Sequence, residues 1–146
     1  MTNGKYNDLL AMEKLAHNAV ITTSGYDSLV TDSANSASAY ATGHKSVVNA
    51  MGVYEDSTKD PLDDPKVENV SEILKRTRGM SIGLVTQAES TDATPAAMVG
   101  HTRRRAAQDF LAKDYLEDYH RPDVILGGGS ARYIPKDVPV LREKTR

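Results

Sequence analysis

Asp32 and Ser33 stand at the head of a run, SANSASAYAT, in which every residue but Tyr40 is small. A hydroxyl beside a carboxylate is raw material for nucleophilic chemistry, provided something withdraws the hydroxyl proton. Ser33 falls where a helix should begin, so unpaired backbone N–H groups and the helix dipole would favour an anion there and stabilise an alkoxide. For an isolated Asp-Ser pair, plain N-capping by Asp32 or Ser33 is the more ordinary reading. Capping alone does not require the next turns to be stripped of bulk, whereas close approach of another group to the backbone does.

Two further stretches carry chemistry. QAESTDATP, residues 87–95, sets Asp92 and Thr94 beside Pro95. Their oxygens are the hard ligands magnesium prefers, and the same residues also suit a helix start with Pro95 in its first turn. HTRRR, residues 101–105, offers three guanidinium groups, each able to grip a phosphate through two parallel hydrogen bonds. On a helix, neighbours point about a hundred degrees apart, so only one of the three can reach a given anion.

The elements expected to position these residues follow from periodicity. Leu9, Leu10, Met12, Leu15 and Ala16 recur on one helical face and predict a short amphipathic helix over 6–17. SLVTD reads as a short strand, and 33–42 as a helix closed by Gly43 in a left-handed cap. The acid- and proline-rich 51–69 reads as an exposed loop. Val67, Val70, Ile73 and Leu74 then mark a helix ending at Gly79. MSIGLVTQA predicts a buried strand, residues 94–119 a mostly helical stretch, and DVILGGG a second buried strand ending in a glycine turn, where the third loaded stretch, GGGSAR, begins. Strands alternating with helices imply a parallel sheet covered by helices, a three-layer α/β/α sandwich. Ligands collect at the carboxyl ends of such strands, where TDSANS, QAESTDATP and GGGSAR all fall.

Composition narrows the function classes. The chain has 146 residues, 18 Lys+Arg against 20 Asp+Glu, and a net charge of -2. Such balance argues against a nucleic-acid or membrane-surface binder, both of which need a broad positive field. No apolar run is long enough to span a bilayer, and the start does not resemble a signal peptide. With no cysteine, thiolate chemistry and disulfides are out. A Ser-His-Asp triad lacks support, since there is no G-x-S-x-G elbow and His17, His44, His101 and His120 lie in no recognisable base motif.

VTDSANSAS resembles the nucleophile signature of the alkaline phosphatases: an aliphatic residue, any residue, Asp-Ser, then four small residues. Ser38 stands where a threonine is usual and keeps the hydroxyl. ATGHKSVVNAMGV, ESTDATPAAMVGHTRRR and DVILGGG resemble the family's following segments, in order, from about Leu29 to Tyr133. The resemblance implies hydrolysis of small phosphate monoesters by a phosphoserine route, with Ser33 as nucleophile, held by zinc. It implies two zinc ions and a magnesium, the latter served by Thr94 directly and by Asp92 through metal-bound water. Counting from His101, the phosphate-clamping arginine is Arg105, steadied by Asp32, with Arg103 or Arg104 next in line if the register slips.

It implies also a homodimer in a complete protein, in the periplasm or outside the cell. The family's first strand, in an Asp-Gly-Met-Gly context, and its downstream zinc ligands have no counterpart here, so residues 1–146 resemble an internal, partial catalytic domain, inactive or nearly so by itself. Two alternatives remain: a related phosphodiesterase or sulfatase chemistry, and a non-catalytic α/β fragment whose Ala-rich helix simply packs tightly.

Overall fold

The structure is a computed structural model that describes residues 9–56 and 58–135. In order it contains α1 (Ser33–Thr42), α2 (Val70–Arg78), β1 (Gly83–Glu89), α3 (Ala93–Ala96), α4 (Gln108–Glu117) and β2 (Val124–Gly128), with single 3-10 turns at Ala11–Lys14 and Ser130–Arg132. Strands β1 and β2 pair in parallel, Leu84 opposite Ile125 and Val85 opposite Leu126, with an irregularity before Glu89 meets Gly128. A parallel pair cannot be joined by a hairpin; here the connection runs through α3 and α4. The fold is α/β, and among the described residues its sheet has two strands.

Both long-range helices near the site end as expected. Gly43 caps α1 at φ 74° and Gly79 caps α2 at φ 61°, left-handed values that cost glycine least. The small residues of α1 are packed rather than idle: Ala34, Ala37 and Ala41 are buried, and Ala93, Ala96 and Ala97 meet them from α3 and its end. Two alanine faces let these helices come close, which sets the Asp32 and Asp92 ends side by side. Leu111 and Tyr115 of α4 complete this core. A Cβ on Gly100 would stand 2.7 Å from Leu111 Cδ2 and 3.1 Å from Ala96 O, so any side chain there would force Leu111 of α4 to shift. Each fully buried side chain of leucine size contributes about 1.5–3 kcal/mol.

Several sequence expectations are corrected. Residues 9–17 form only the 3-10 turn and are exposed throughout; the start of the expected helix lies outside the described residues. Their apolar side chains meet no core, and a helix this short does not persist on propensity alone. SLVTD is not a strand, and Leu29 and Val30 are 90% and 80% exposed, because no other strand pairs with it among the described residues. The two strands are largely uncovered: Leu84 is buried and Ile125 partly so against the core, while Val85, Val124 and Leu126 face outward. Residues 94–119 break into two helices. The short α3 ends at Ala96, a run of turns carries 97–107, and α4 follows. Helix α2 is turned from its expected orientation, for Glu72 is buried while Val70 and Ile73 are exposed. Among the described residues no helix is long and apolar enough to cross a membrane.

Candidate active site

Asp32 is the N-cap of α1, and Ser33 is its first residue, which settles the capping question in favour of the acid. The Asp32 carboxylate accepts from Asn35 N at 3.0 Å, and the Asn35 side chain accepts from Asp32 N at 3.2 Å. Such a reciprocal box fixes the entry to the helix. Ser33 is left exposed at the helix mouth, with its hydroxyl uncommitted to capping. Burial pushes the Asp32 carboxyl up, but hydrogen bonds from the backbone at Asn35 and Asn49 and from Arg105 outweigh it, so its pKa lies below the ordinary value.

Asp92 plays the corresponding part at α3, where its Oδ1 accepts from Ala93 N at 2.8 Å. It too is a cap and something more. Arg105 sits between the two helix ends: Nη1 donates to Ser33 Oγ at 2.7 Å and to Asp32 Oδ2 at 3.3 Å, and Nη2 donates to Asp92 Oδ1 at 3.0 Å. A guanidinium is the side chain that can hold three oxygens in one plane. Donation by a cation to a hydroxyl oxygen favours the deprotonated form of that oxygen.

Arg105 is not on a helix, contrary to the expectation, and the reason it can be distinguished from its neighbours is the loop itself. Met51 and Thr102 form an antiparallel bridge, with N···O distances of 2.8 and 2.9 Å, and Arg105 N donates to Asn49 O at 2.9 Å. This zipper holds 102–105 against 49–51. Arg103 turns away to Thr58 O and to Asp64, at 3.3 and 3.6 Å. Arg104 is exposed and lines, with Arg103, Asn49 and Lys59, an open polar cleft.

Two relationships are not legible in the sequence. The contact of Asp92 with Arg105, unlike the expected one with Asp32, cannot be seen in spacing because it depends on two helix ends being packed together. The other is made by His101, which in the motif serves only as a counting mark. That ring is buried, with Nε2 2.9 Å from Glu72 Oε1 and Nδ1 2.6 Å from Gly52 O. Glu72 accepts as well from Asn69 N at 2.8 Å. Ser38, the residue that departs from the usual threonine, is buried and its hydroxyl accepts from Gly52 N at 2.9 Å.

Thr94, exposed on α3, makes no hydrogen bond to Ser33, Asp92 or Arg105 among the described residues. Asp92 and Thr94 nevertheless lie within one turn of the same helix, and their oxygens suit a hard cation such as magnesium. A catalytic zinc needs about three protein ligands, commonly histidine and carboxylate. The described residues contain no cluster of three or more such side chains, so they do not by themselves fit zinc.

The comparisons with known proteins agree on one family. The family model described as Alkaline phosphatase matches residues 2–145. The chain is 38% identical over 118 residues to Alkaline phosphatase 4 of Bacillus subtilis (strain 168), covering 78% of this chain and 24% of that protein. It is 30% identical over 146 residues to the tissue-nonspecific alkaline phosphatase isozyme of Gallus gallus, covering 88% and 28%. Among solved structures, the alkaline phosphatase of the Antarctic bacterium TAB5 superposes with a TM-score of 0.65 at 33% identity, covering 77% of this chain and 30% of that one. A mutant of that enzyme with Mg bound in its M3 site gives a TM-score of 0.66 at 33% identity, with the same coverage. The chain thus spans less than a third of the length of these relatives. With its motifs in family order and its α/β fold shared with these structures, the chain belongs to the alkaline phosphatase family.

Proposed function

We propose that this chain carries the nucleophile and phosphate clamp of a metal-dependent phosphate monoester hydrolase that works through a phosphoserine at Ser33. The observation that supports it most is the Arg105 guanidinium, which reaches Ser33 Oγ and two carboxylates from different helix ends at once. In this reading Ser33 Oγ attacks phosphorus, the leaving oxygen departs with its electron pair and takes a proton, and water later releases inorganic phosphate from the serine. Arg105 binds the phosphoryl oxygens through paired hydrogen bonds, and Asp32 and Asp92 keep the guanidinium aimed. The N-terminus of α1 adds a fixed positive partial charge at the reacting oxygen.

Asp92 and Thr94 would contribute to a magnesium site. A pair of zinc ions would supply the positive charge that makes the serine an alkoxide at working pH; their ligands would come from residues other than those described. The substrates are small phosphate monoesters. The complete protein acts as a homodimer in the periplasm or outside the cell, with neither nucleic acid nor membrane as partner.

The test is a complete protein containing this sequence, incubated with a labelled phosphate monoester and quenched in acid. Label should appear on the protein and vanish in Ser33→Ala. Undiminished acid-stable label on the alanine variant would refute the assignment. Faster turnover of a phosphodiester or a sulfate ester than of the monoester would redirect it to a related hydrolase chemistry.

A further inference from the structure

Both ring nitrogens of His101 face acceptors. Nδ1 points to a carbonyl, which offers no proton, so it must carry its own. Nε2 points to a carboxylate at 2.9 Å. The arrangement is satisfied by an imidazolium paired with Glu72⁻, in a place where both side chains are almost wholly covered, 2% and 8% exposed. A buried charge pair held on several sides is rigid, because moving either partner strands the other.

This pair lies at one end of the zipper whose other end is Arg105. Glu72 is itself fixed by the capping box of α2 with Asn69. His101 passes that fixation to Gly52, whose N–H is held in turn by Ser38 of α1. The next residue, Thr102, bridges Met51, and three residues further on Arg105 N is tied to Asn49 O. No other carboxylate in the described residues lies within ion-pair distance of His101.

We propose that Glu72 is a positioning residue for phosphate binding, acting through His101 to hold the 101–105 loop in the register that aims Arg105. This rests on the reading of Arg105 as the phosphate clamp. Glu72 touches no reacting atom; it fixes where the guanidinium can be.

The other titratable groups around the pair are His120, whose Nδ1 is 3.4 Å from Glu72 Oε1, and Asp118, Asp114 and Lys66 beside it. His120 acts on Glu72 and Lys66 on His101 as additional positive charge, Asp114 faces both partners as a carboxyl, and Asp118 acts on Asp114. The link is strongest while His101 holds its second proton, and it weakens when that proton leaves.

The experiment measures the dissociation constant of inorganic phosphate by equilibrium dialysis on the complete, metal-loaded protein. Four forms are compared: unaltered, Glu72→Gln, Arg105→Ala and the double variant. Glu72→Gln should weaken phosphate binding roughly 3- to 10-fold near neutral pH, and by less than about 2-fold when Arg105 is already alanine. The defect should shrink as pH rises and the unaltered protein loses the His101 proton, a dependence that simple loss of packing does not produce. If Glu72→Gln does not fold, His101→Gln removes the same link from the other side, and the same readings apply. Unchanged phosphate affinity in folded Glu72→Gln, or an equal loss in the Arg105→Ala background, overturns the inference alone. Unchanged affinity in Arg105→Ala overturns the proposed function, and the inference with it.

Discussion

Arg105 Nη1 lies 2.7 Å from Ser33 Oγ across 72 residues of sequence, and it is the loop between Thr102 and Arg105, rather than a helix, that brings it there. The three arginines of this loop are therefore unequal for a geometric reason. One faces Ser33, one is committed to Asp64 and Thr58, and one lies in an open cleft.

Arg105→Ala should accordingly weaken inorganic phosphate binding and slow turnover while the fold is retained. A charged hydrogen bond contributes about 1.5–3 kcal/mol, so losses of roughly ten- to a hundredfold are expected. Arg104→Ala should change phosphate inhibition by less than about twofold, since an exposed charge contributes little. Steady-state kinetics of both variants of a complete protein, with phosphate as inhibitor, check the ordering. A larger loss at Arg103 or Arg104 would contradict it.

The Glu72–His101 pair predicts a pH window for stability. His101 is subject first to burial, which lowers its pKa, but Glu72 and the Gly52 carbonyl prevail and hold it above its usual 6.5. Glu72 is likewise pushed up by burial, and its bonds from His101 and Asn69 bring it below 4.5. For the histidine, the stabilisation is complete below 6.5 and is lost as pH rises through the elevated folded value; for the glutamate it is complete above 4.5 and is lost as pH falls through the depressed one. Denaturant midpoints of the unaltered protein and Glu72→Gln should thus differ most between about pH 4.5 and 6.5 and converge on the alkaline side.

Gly52→Ala should be damaging out of proportion to its size. The residue has φ 58°, and a Cβ there would stand 2.6 Å from Gly100 O and 2.7 Å from His101 Nδ1. The left-handed backbone alone costs a non-glycine residue roughly 1–3 kcal/mol. Thermal unfolding should report at least that, with weaker phosphate binding in whatever fraction folds.

Residues 1–146 alone should not hydrolyse p-nitrophenyl phosphate above a Ser33→Ala control, even with excess zinc and magnesium. The described residues bring together Ser33, Asp32, Asp92 and Arg105 but no cluster of three metal-binding side chains. Ser33-dependent turnover of about 1–1000 per second would show a zinc site assembled from this sequence alone.

What could be read in the sequence was local. The Asp-Ser head of α1, its left-handed stop at Gly43, the stop of α2 at Gly79 and the two parallel strands all depend on neighbouring residues or on a short apolar run. The Asp32 link to Arg105 came from the family resemblance and stands in the structure at 3.3 Å. What failed depended on tertiary context. Leu29 is apolar and Val30 and Thr31 are β-branched, which suits a strand, yet strand structure also needs a partner to take its hydrogen bonds. The apolar spacing of α2 pointed Val70 and Ile73 inward, and instead the buried ion pair of Glu72 governs how the helix sits. Residues 94–119 looked helical because alanine, leucine and charged residues dominate them, but the bridge to Met51 and the close pass at Gly100 take precedence between α3 and α4.

The bridge between Met51 and Thr102 also bears on how quickly the site can assemble. Closing a loop costs conformational entropy that grows by about 0.6 kcal/mol with each doubling of its length. For an open chain, meeting Ser33 requires Arg105 to close the whole 72-residue separation. Once residues 49–51 and 102–105 are zipped, only the stretch from Ser33 to Asn49 remains to be closed, and much of that is already α1. The saving is on the order of 1 kcal/mol. The ladder thus carries most of the closure cost, and once it is in place the guanidinium reaches its serine across a short loop.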